Sequence, residues 1–548
     1  MRNIIDRDIA RLEENIWILR SRRNELSPIY RIPAEILCKI FSLTEDLSQD
    51  RSPTSWTNFC QVSQHWRSSA LSAPELWTKI PLNYPRWAQE MLIRSKMAKL
   101  TISFDSWGHW PRSQSQTIET ARSCLYDMNR VEEINLNGFS SEKLEDIFRD
   151  MPKSAPQLHT LCIDQGIDDF SFPEDFLYNT ERLQLERVEL SYCKISWDSQ
   201  LLTGLTRLNL ERSLKENSSI IQVLHALQRM PALTELRLID SIPAESGGAS
   251  IYPVVDLPCL RILHIVSFIG PLTTFLRHIT FPHSAILNLT CCIWSSQINQ
   301  IDFSNFLSVL TTNLKFLSSL VIRSLQVSLQ HVSDGLHGLK FNLSITAFNQ
   351  ACFPPPSSLF SRSQLQLSLT WPLRLRHSHG KVLTNAFDAM NLSFLTQLQL
   401  SYLSPSCIDS KTWAETFGRL PLLEWVCMRR STPHSFVEAL VYEPKADVKS
   451  KVACSVSFPK LRNIHLEGTC FGSRLEISRY RSLSVEKLLD YLMERCDRKA
   501  EIQVLRLDNC SYISSGDVER LKEIVVDVTW DGVEQEDLID DWEWRLGW

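Results

Sequence analysis

Apolar positions recur along this chain in two rhythms, and the change of rhythm divides it. From 2 to 27 the rhythm is helical. Ile5, Ile9, Leu12, Ile16 and Leu19 alternate four and three residues apart, the spacing of a heptad seam. Ser27-Pro28 closes this helix, because a residue ahead of proline avoids helical angles. Two heptads fall short of the three or four that identify a coiled coil. Two readings therefore stand, a short dimer helix and a helix folded against the next segment. From Arg31 to Ile80 the spacing predicts three short helices. Pro33 suits a first helical turn, where its missing N–H costs nothing. Ile36, Leu37, Ile40 and Phe41 then share a face. After a turn around Ser52-Pro53, Phe59, Val62, Trp66 and Ala70 form a second apolar stripe, and Pro74-Glu75-Leu76-Trp77 begins a third helix. Such a segment, about fifty residues long, has a very small core, so surplus apolar surface is expected to face outward and to want a partner.

Beyond this point the rhythm shortens. Pro85 to Ser95 reads as one more amphipathic helix, with Trp87, Met91 and Leu92 on a face. Leu100, Ile102 and Phe104 then alternate as a strand. From 131 onward a triplet recurs: apolar, two others, apolar, one other, apolar. It stands at Val131/Ile134/Leu136, Leu158/Leu161/Ile163, Leu185/Val188/Leu190, Leu205/Leu208/Leu210, Leu233/Leu236/Leu238 and Leu260/Leu263/Ile265. Later copies are Leu317/Leu320/Ile322, Leu395/Leu398/Leu400, Leu423/Val426/Met428, Leu461/Ile464/Leu466 and Ile502/Leu505/Leu507, with weaker ones at Leu287-x-Leu289, Leu343-x-Ile345 and Leu367-x-Leu369. The early copies step by 27, 27, 20, 28 and 27 residues, within the leucine-rich-repeat period of roughly 20–29. Alternate residues of each short strand would point into a core shared by stacked copies. Three positions after the last apolar residue, Cys193, Cys292, Cys510, Ser213, Ser241 and Thr469 are expected as small buried groups that settle a turn. Segments 141–151, 218–230, 410–420 and 485–495 read as the returning helices. The fold class expected is α/β, an N-terminal helical segment followed by a solenoid with a curved parallel sheet and helices outside. Its divisions are a helix at 1–30, a three-helix module at 31–80, a linker helix and first strand at 81–130, repeats at 131–525 and an acidic, Trp-rich end at 526–548.

Two resemblances follow from these residues. Ile32-Pro33-x-Glu35-Ile36-Leu37-x-x-Ile40-Phe41, Val62-x-x-x-Trp66-Arg67, Ala70-Leu71 and Pro74-x-Leu76-Trp77 resemble an F-box in order, spacing and residue type. Ile32 stands where that family usually has Leu, and the gap from Thr44 to Ser55 is longer than in compact members. The triplets with their cysteines resemble the leucine-rich repeats often joined to F-boxes. The resemblance implies a substrate receptor of an SCF-type ubiquitin ligase. Ile32, Pro33, Ile36, Leu37, Ile40, Val62 and Trp66 would bind a Skp-type adaptor, and through it a cullin. The repeats would hold an unidentified protein substrate. A non-degradative scaffold that binds the adaptor without ubiquitinating a partner remains the alternative.

Composition narrows the remaining chemistry. A net charge of −5 over 548 residues does not mark a nucleic-acid or membrane-surface binder. Fifteen cysteines without a C-x-x-C pair point to reduced thiols in the cytoplasm or nucleus. The longest apolar run, Ile265 to Leu276, is too short to cross a membrane, and the charged start does not resemble a secretion signal. No H-E-x-x-H, G-x-S-x-G or Walker loop is present, so neither catalytic residues nor a cofactor are expected. His377-x-His379 lacks a third ligand, and Cys291-Cys292 lacks zinc spacing, so no metal is expected. Insertions at 243–258, 353–358 and 443–457 break the period and read as loops, either tolerated variation or binding surfaces. The exposed strand positions, Arg207, Glu235, Arg237, Arg261 and His264 among them, are mixed in charge. At the end, Trp530, Trp542, Trp544 and Trp548 are interleaved with seven acids. Either they cap the last repeat or they form a short binding segment.

Overall fold

A computed structural model describes residues 2–47, 55–106, 114–166, 169–173, 176–180, 183–244, 252–292, 303–313, 315–333, 339–351, 363–372, 379–403, 408–431, 433–442, 456–472 and 483–534. His377, Trp542, Trp544, Trp548, the Ser52-Pro53 turn, the 353–358 insertion, most of the 443–457 insertion and part of the 243–258 insertion lie outside these residues. The chain forms two compact units, Met1–Glu216 and Asn217–Trp548.

The first unit begins with helix α1, Arg2–Glu25. Helices α2, Ala34–Leu47, and α3, Gln64–Ser72, follow, with short 3-10 turns at Pro28–Arg31, Ser55–Gln61 and Pro74–Trp77. Six parallel strands come next in ladder order: β1 Lys79–Pro81, β2 Leu100–Asp105, β3 Val131–Asn137, β4 Thr160–Asp164, β5 Arg187–Ser191 and β6 Arg207–Glu211. The helix Pro85–Arg94 joins β1 to β2, and Gln114–Tyr126 joins β2 to β3. The triplets dictate the register. Ile102, Ile134, Leu161, Val188 and Leu208 sit side by side, as do Phe104, Leu136, Ile163, Leu190 and Leu210. All ten are buried. The sheet therefore starts two strands ahead of the first triplet.

Among its described residues the second unit holds eleven strands of a large sheet, beside a two-stranded ladder of Val255–Asp256 and Ile279–Thr280. The eleven are β7 Glu235–Ile239, β8 Ile262–Phe268, β9 Ile286–Cys292, β10 Ser324–Ser333, β11 Leu339–Phe348, β12 Leu365–Pro372, β13 Gln397–Ser401, β14 Trp425–Arg429, β15 Asn463–Glu467, β16 Val504–Asp508 and β17 Asp527–Trp530. Parallel ladders join β7, β8 and β9, and again β13 through β17. The middle departs from the expected succession. β10, β11 and β12 pair antiparallel, and β12 rather than β10 lies against β9. β10 then lies parallel to β13. Spatial order is thus β9-β12-β11-β10-β13, and the sheet is mixed where the repeats predict a parallel one. Link length explains the first of these pairings. Five residues separate β10 from β11, enough for a hairpin, whereas a parallel crossover needs a dozen or more. The weak copy at Leu343-x-Ile345 is consequently an antiparallel strand.

One triplet assignment shifts. Leu325 and Val327 pair with Leu398 and Leu400, so the copy in β10 is Ile322/Leu325/Val327. Leu317 and Leu320 instead lie on and just after the turn of helix Phe316–Ser319. Both triplets have the same apolar spacing, and only strand pairing separates them. A further copy, Val525/Val528/Trp530, lies beyond the expected series. It extends the sheet through β17, with Val528 beside Leu505 and Trp530 beside Leu507.

The turn after most parallel strands is built one way. A residue in the left-handed region follows at once: Gly138, Tyr192, Arg212, Asp240, Tyr402, Arg430, Gly468 and Asn509. This reverses the backbone so that the next side chain points inward. Ser213 Oγ donates to the carbonyls of Leu190 at 2.9 Å and Glu211 at 2.8 Å. Cys193 and Cys510 make the same contacts through sulfur. Ser431 plays this part after β14. Cys292 does not. Because β9 continues as a strand to Cys292, its alternation puts Cys291 in the inward position, fully buried.

Candidate functional site

The front helices are held together by aromatic packing. Phe41 of α2 stacks on Phe59 with ring centroids 4.0 Å apart and leans on Trp66 of α3 at 5.2 Å. Ser63 caps α3, its hydroxyl accepting the Trp66 N–H at 3.2 Å. Trp77 is wholly buried and its indole N–H donates to the Ala70 carbonyl at 2.8 Å. The Arg94 guanidinium lies 4.5 Å over the Trp77 ring. The Cys38 thiol donates to the Ser69 carbonyl at 3.6 Å, joining α2 to α3, and burial pushes its pKa up.

Around this core the seven residues named from the sequence separate into two groups. Leu37 is fully buried and Trp66 half-buried against Phe41, so both belong to the packing between helices. Ile36, Ile40 and Val62 are 51 %, 40 % and 57 % exposed, and Pro33 is exposed as well. Ile32 is intermediate. Leu43, which is not among the seven, is 54 % exposed. Positions 36, 40 and 43 are four and three apart on α2, one face of a helix. A stripe of Ile36, Ile40 and Leu43 therefore faces water from a helix whose other side is sealed by Leu37 and Phe41. The signal for Leu43 was its helical spacing from Ile36 and Ile40.

The strand face away from the core carries a second arrangement. Within single strands, Arg187 pairs with Glu189 at 2.8 Å, Arg237 with Glu235 at 2.6 Å and Arg506 with Asp508 at 2.6 Å. Between strands, Arg429 pairs with Glu467 at 2.8 Å. His264 stands in register with Arg237, and burial together with that cation lowers its pKa. Arg207 and Arg261 are exposed. At β14 to β16 three potentially reactive groups meet. Cys427 Sγ is 3.6 Å from His465 Nδ1, and His465 Nε2 is 2.9 Å from Asp508 Oδ2. Their sequence separation hid them, since only the ladder brings 427 beside 465. Cys427 is 3 % exposed. Burial, then the Glu467 charge, pushes its thiol up to about 12, so it stays protonated at neutral pH and lacks the thiolate a nucleophile needs. Burial lowers the His465 pKa against the pull of Asp508.

Among the described residues no group of three His, Cys, Asp or Glu is placed to hold a metal ion. No described helix is long and apolar enough to cross a membrane. His379 opens a helix that runs to Ala389. Trp530 is half-buried on β17.

Comparison with known proteins bears on the front segment. Residues 29–82 match the F-box-like family model, and the chain thus contains an F-box-like domain there. No curated protein matches the chain. Among solved structures, a chain of the "Crystal structure of Rad7 and Elc1 complex in yeast" is 13 % identical, with 78 % of this chain and 94 % of that chain covered and a TM-score of 0.26. So low a score establishes no likeness of fold.

Proposed function

We propose that this protein is the substrate-recognition subunit of an SCF-type ubiquitin ligase. F-box-like domains bind Skp-type adaptors, and the one observation that carries the reading is the apolar stripe Ile36, Ile40, Leu43. It is exposed on α2 inside the segment that matches the family. Ile32, Pro33 and Val62 extend this surface. Leu37 and Trp66 contribute by holding the two helices at a fixed angle. The strands and returning helices act as a leucine-rich-repeat solenoid, whose face of paired acids and bases holds a substrate protein. The protein itself makes and breaks no bonds. A cullin reached through the adaptor brings the ubiquitin-charged enzyme near the bound substrate, and proximity turns an intermolecular transfer into a nearly intramolecular one. The place of action is cytoplasmic or nuclear.

Co-expression with a Skp-type adaptor tests the docking. Pro33→Ala with Ile36→Asp is expected to abolish co-purification while the melting transition stays. Buried aliphatic anchors of an interface are worth on the order of 2 kcal/mol or more each. Undiminished adaptor binding defeats the assignment. Reconstitution with a cullin then separates a ligase receptor from a non-degradative scaffold, according to whether a captured partner acquires ubiquitin.

A further inference from the structure

Helix α1 has no buried residue over its 24 positions. Ile5, Ile9, Leu12, Ile16 and Leu19 are 48 % to 64 % exposed. Most helical stability in proteins comes from packing of an amphipathic face, and this helix holds neither Gly nor Pro that would break it. The helix is just over three heptads long, and its apolar seam, Ile5 to Leu19, spans the middle two. Ile9 and Ile16 fall at the a positions and Ile5, Leu12 and Leu19 at d, one continuous apolar seam. Ile4, Trp17 and Ile18 lie off this seam.

The charges beside the seam choose the direction. Asp6, Glu13 and Arg20 occupy e, and Asp8, Asn15 and Arg22 occupy g. In a parallel pair Asp8 of each helix meets Glu13 of the other, two like-charge contacts and no opposite ones. In an antiparallel pair Ile9 packs against Leu19 and Leu12 against Ile16, each twice. That register sets Asp6 beside Arg20 and Asp8 beside Arg22, again each twice. Four opposite-charge contacts then stand against a single Glu13–Glu13 approach on the two-fold axis. We propose that α1 is a self-association element, which pairs antiparallel with α1 of a second copy of this chain. The inference is independent of the adaptor reading, since it uses none of the residues on α2 or α3.

Sedimentation of the full chain tests it. A dimer is expected at concentrations on the order of 10–100 μM, and weakening by salt is expected because the flanking pairs are exposed. Ile9→Asp with Ile16→Asp should give a monomer with an unchanged melting transition. Asp6→Arg with Asp8→Arg should weaken the dimer by about tenfold or more, and adding Arg20→Glu and Arg22→Glu to those two should restore it. A wild-type chain that stays monomeric overturns the proposal, as does a dimer that survives Ile9→Asp with Ile16→Asp. Tightening by Asp6→Arg with Asp8→Arg overturns the antiparallel arrangement, because the cation introduced at position 8 would meet Glu13 in a parallel coil.

Discussion

Helix α2 and strand β6 each carry several apolar residues, and they end in opposite states. On β6, Leu208 and Leu210 are buried and the positions between them face away from the core. On α2, Leu37 and Phe41 are buried while Ile36, Ile40 and Leu43 remain in water. The difference is one of supply. β6 pairs with β5 and lies over a core shared along the ladder, so two inward positions suffice. A helix in a segment of about fifty residues has only two short partners, and one of its faces is left over. On α2 the exposed apolar stripe is the surface that the proposed adaptor reading uses.

The largest effect that would break this contrast lies in the second unit. Arg495 is fully buried, and its N–H groups donate to the carbonyls of Ala500, Leu440, Ser457 and Phe458 at 2.8 to 3.1 Å. Arg495→Met leaves these acceptors orphaned, and a loss of about 4 kcal/mol or more is expected in denaturant unfolding. A change within 1 kcal/mol, on the order of an ordinary surface substitution, would mean water replaces the guanidinium. Next comes a pair of adjacent residues on α2. Leu37→Ala should cost about 3 kcal/mol of local stability, read as faster hydrogen exchange across 29–82. Ile36→Ala should move it by about 0.5 kcal/mol or less. Equal effects would erase the distinction between the sealed and open faces. Smaller than the Leu37 effect is Ser431→Ala, which removes the hydroxyl that donates to Arg429 and accepts from the Leu403 N–H. About 1 kcal/mol is expected, measured as a shift in the denaturation midpoint at constant slope.

Much of this fold was legible in the order of residues because burial leaves a period. The triplets located most strands, since an inward residue at every second position is a local demand. Helix 220–228 was legible as the returning segment 218–230, and its start is fixed by a capping box in which Ser219 and Gln222 bond each other's backbone N–H groups. The stripe on α2 was partly legible. Helical spacing grouped Ile36, Leu37, Ile40 and Phe41, but it did not tell the covered members from the open ones, because the placement of Phe59 and Trp66 decides that. The buried Arg495 and the left-handed turn residues escaped because arginine, tyrosine and aspartate are ordinary surface residues by type.

By itself, then, the residue order determined which segments are helices and strands, the small buried group in most turns, and a front module with more apolar surface than it can hide. All of these are local consequences of spacing and side-chain size. Only the tertiary structure decided the reversed order of β10 to β12, the register that makes Ile322/Leu325/Val327 the true triplet, and the meeting of Cys427, His465 and Asp508. Each depends on which strands lie side by side, and pairing between residues tens of positions apart leaves no mark in either segment alone.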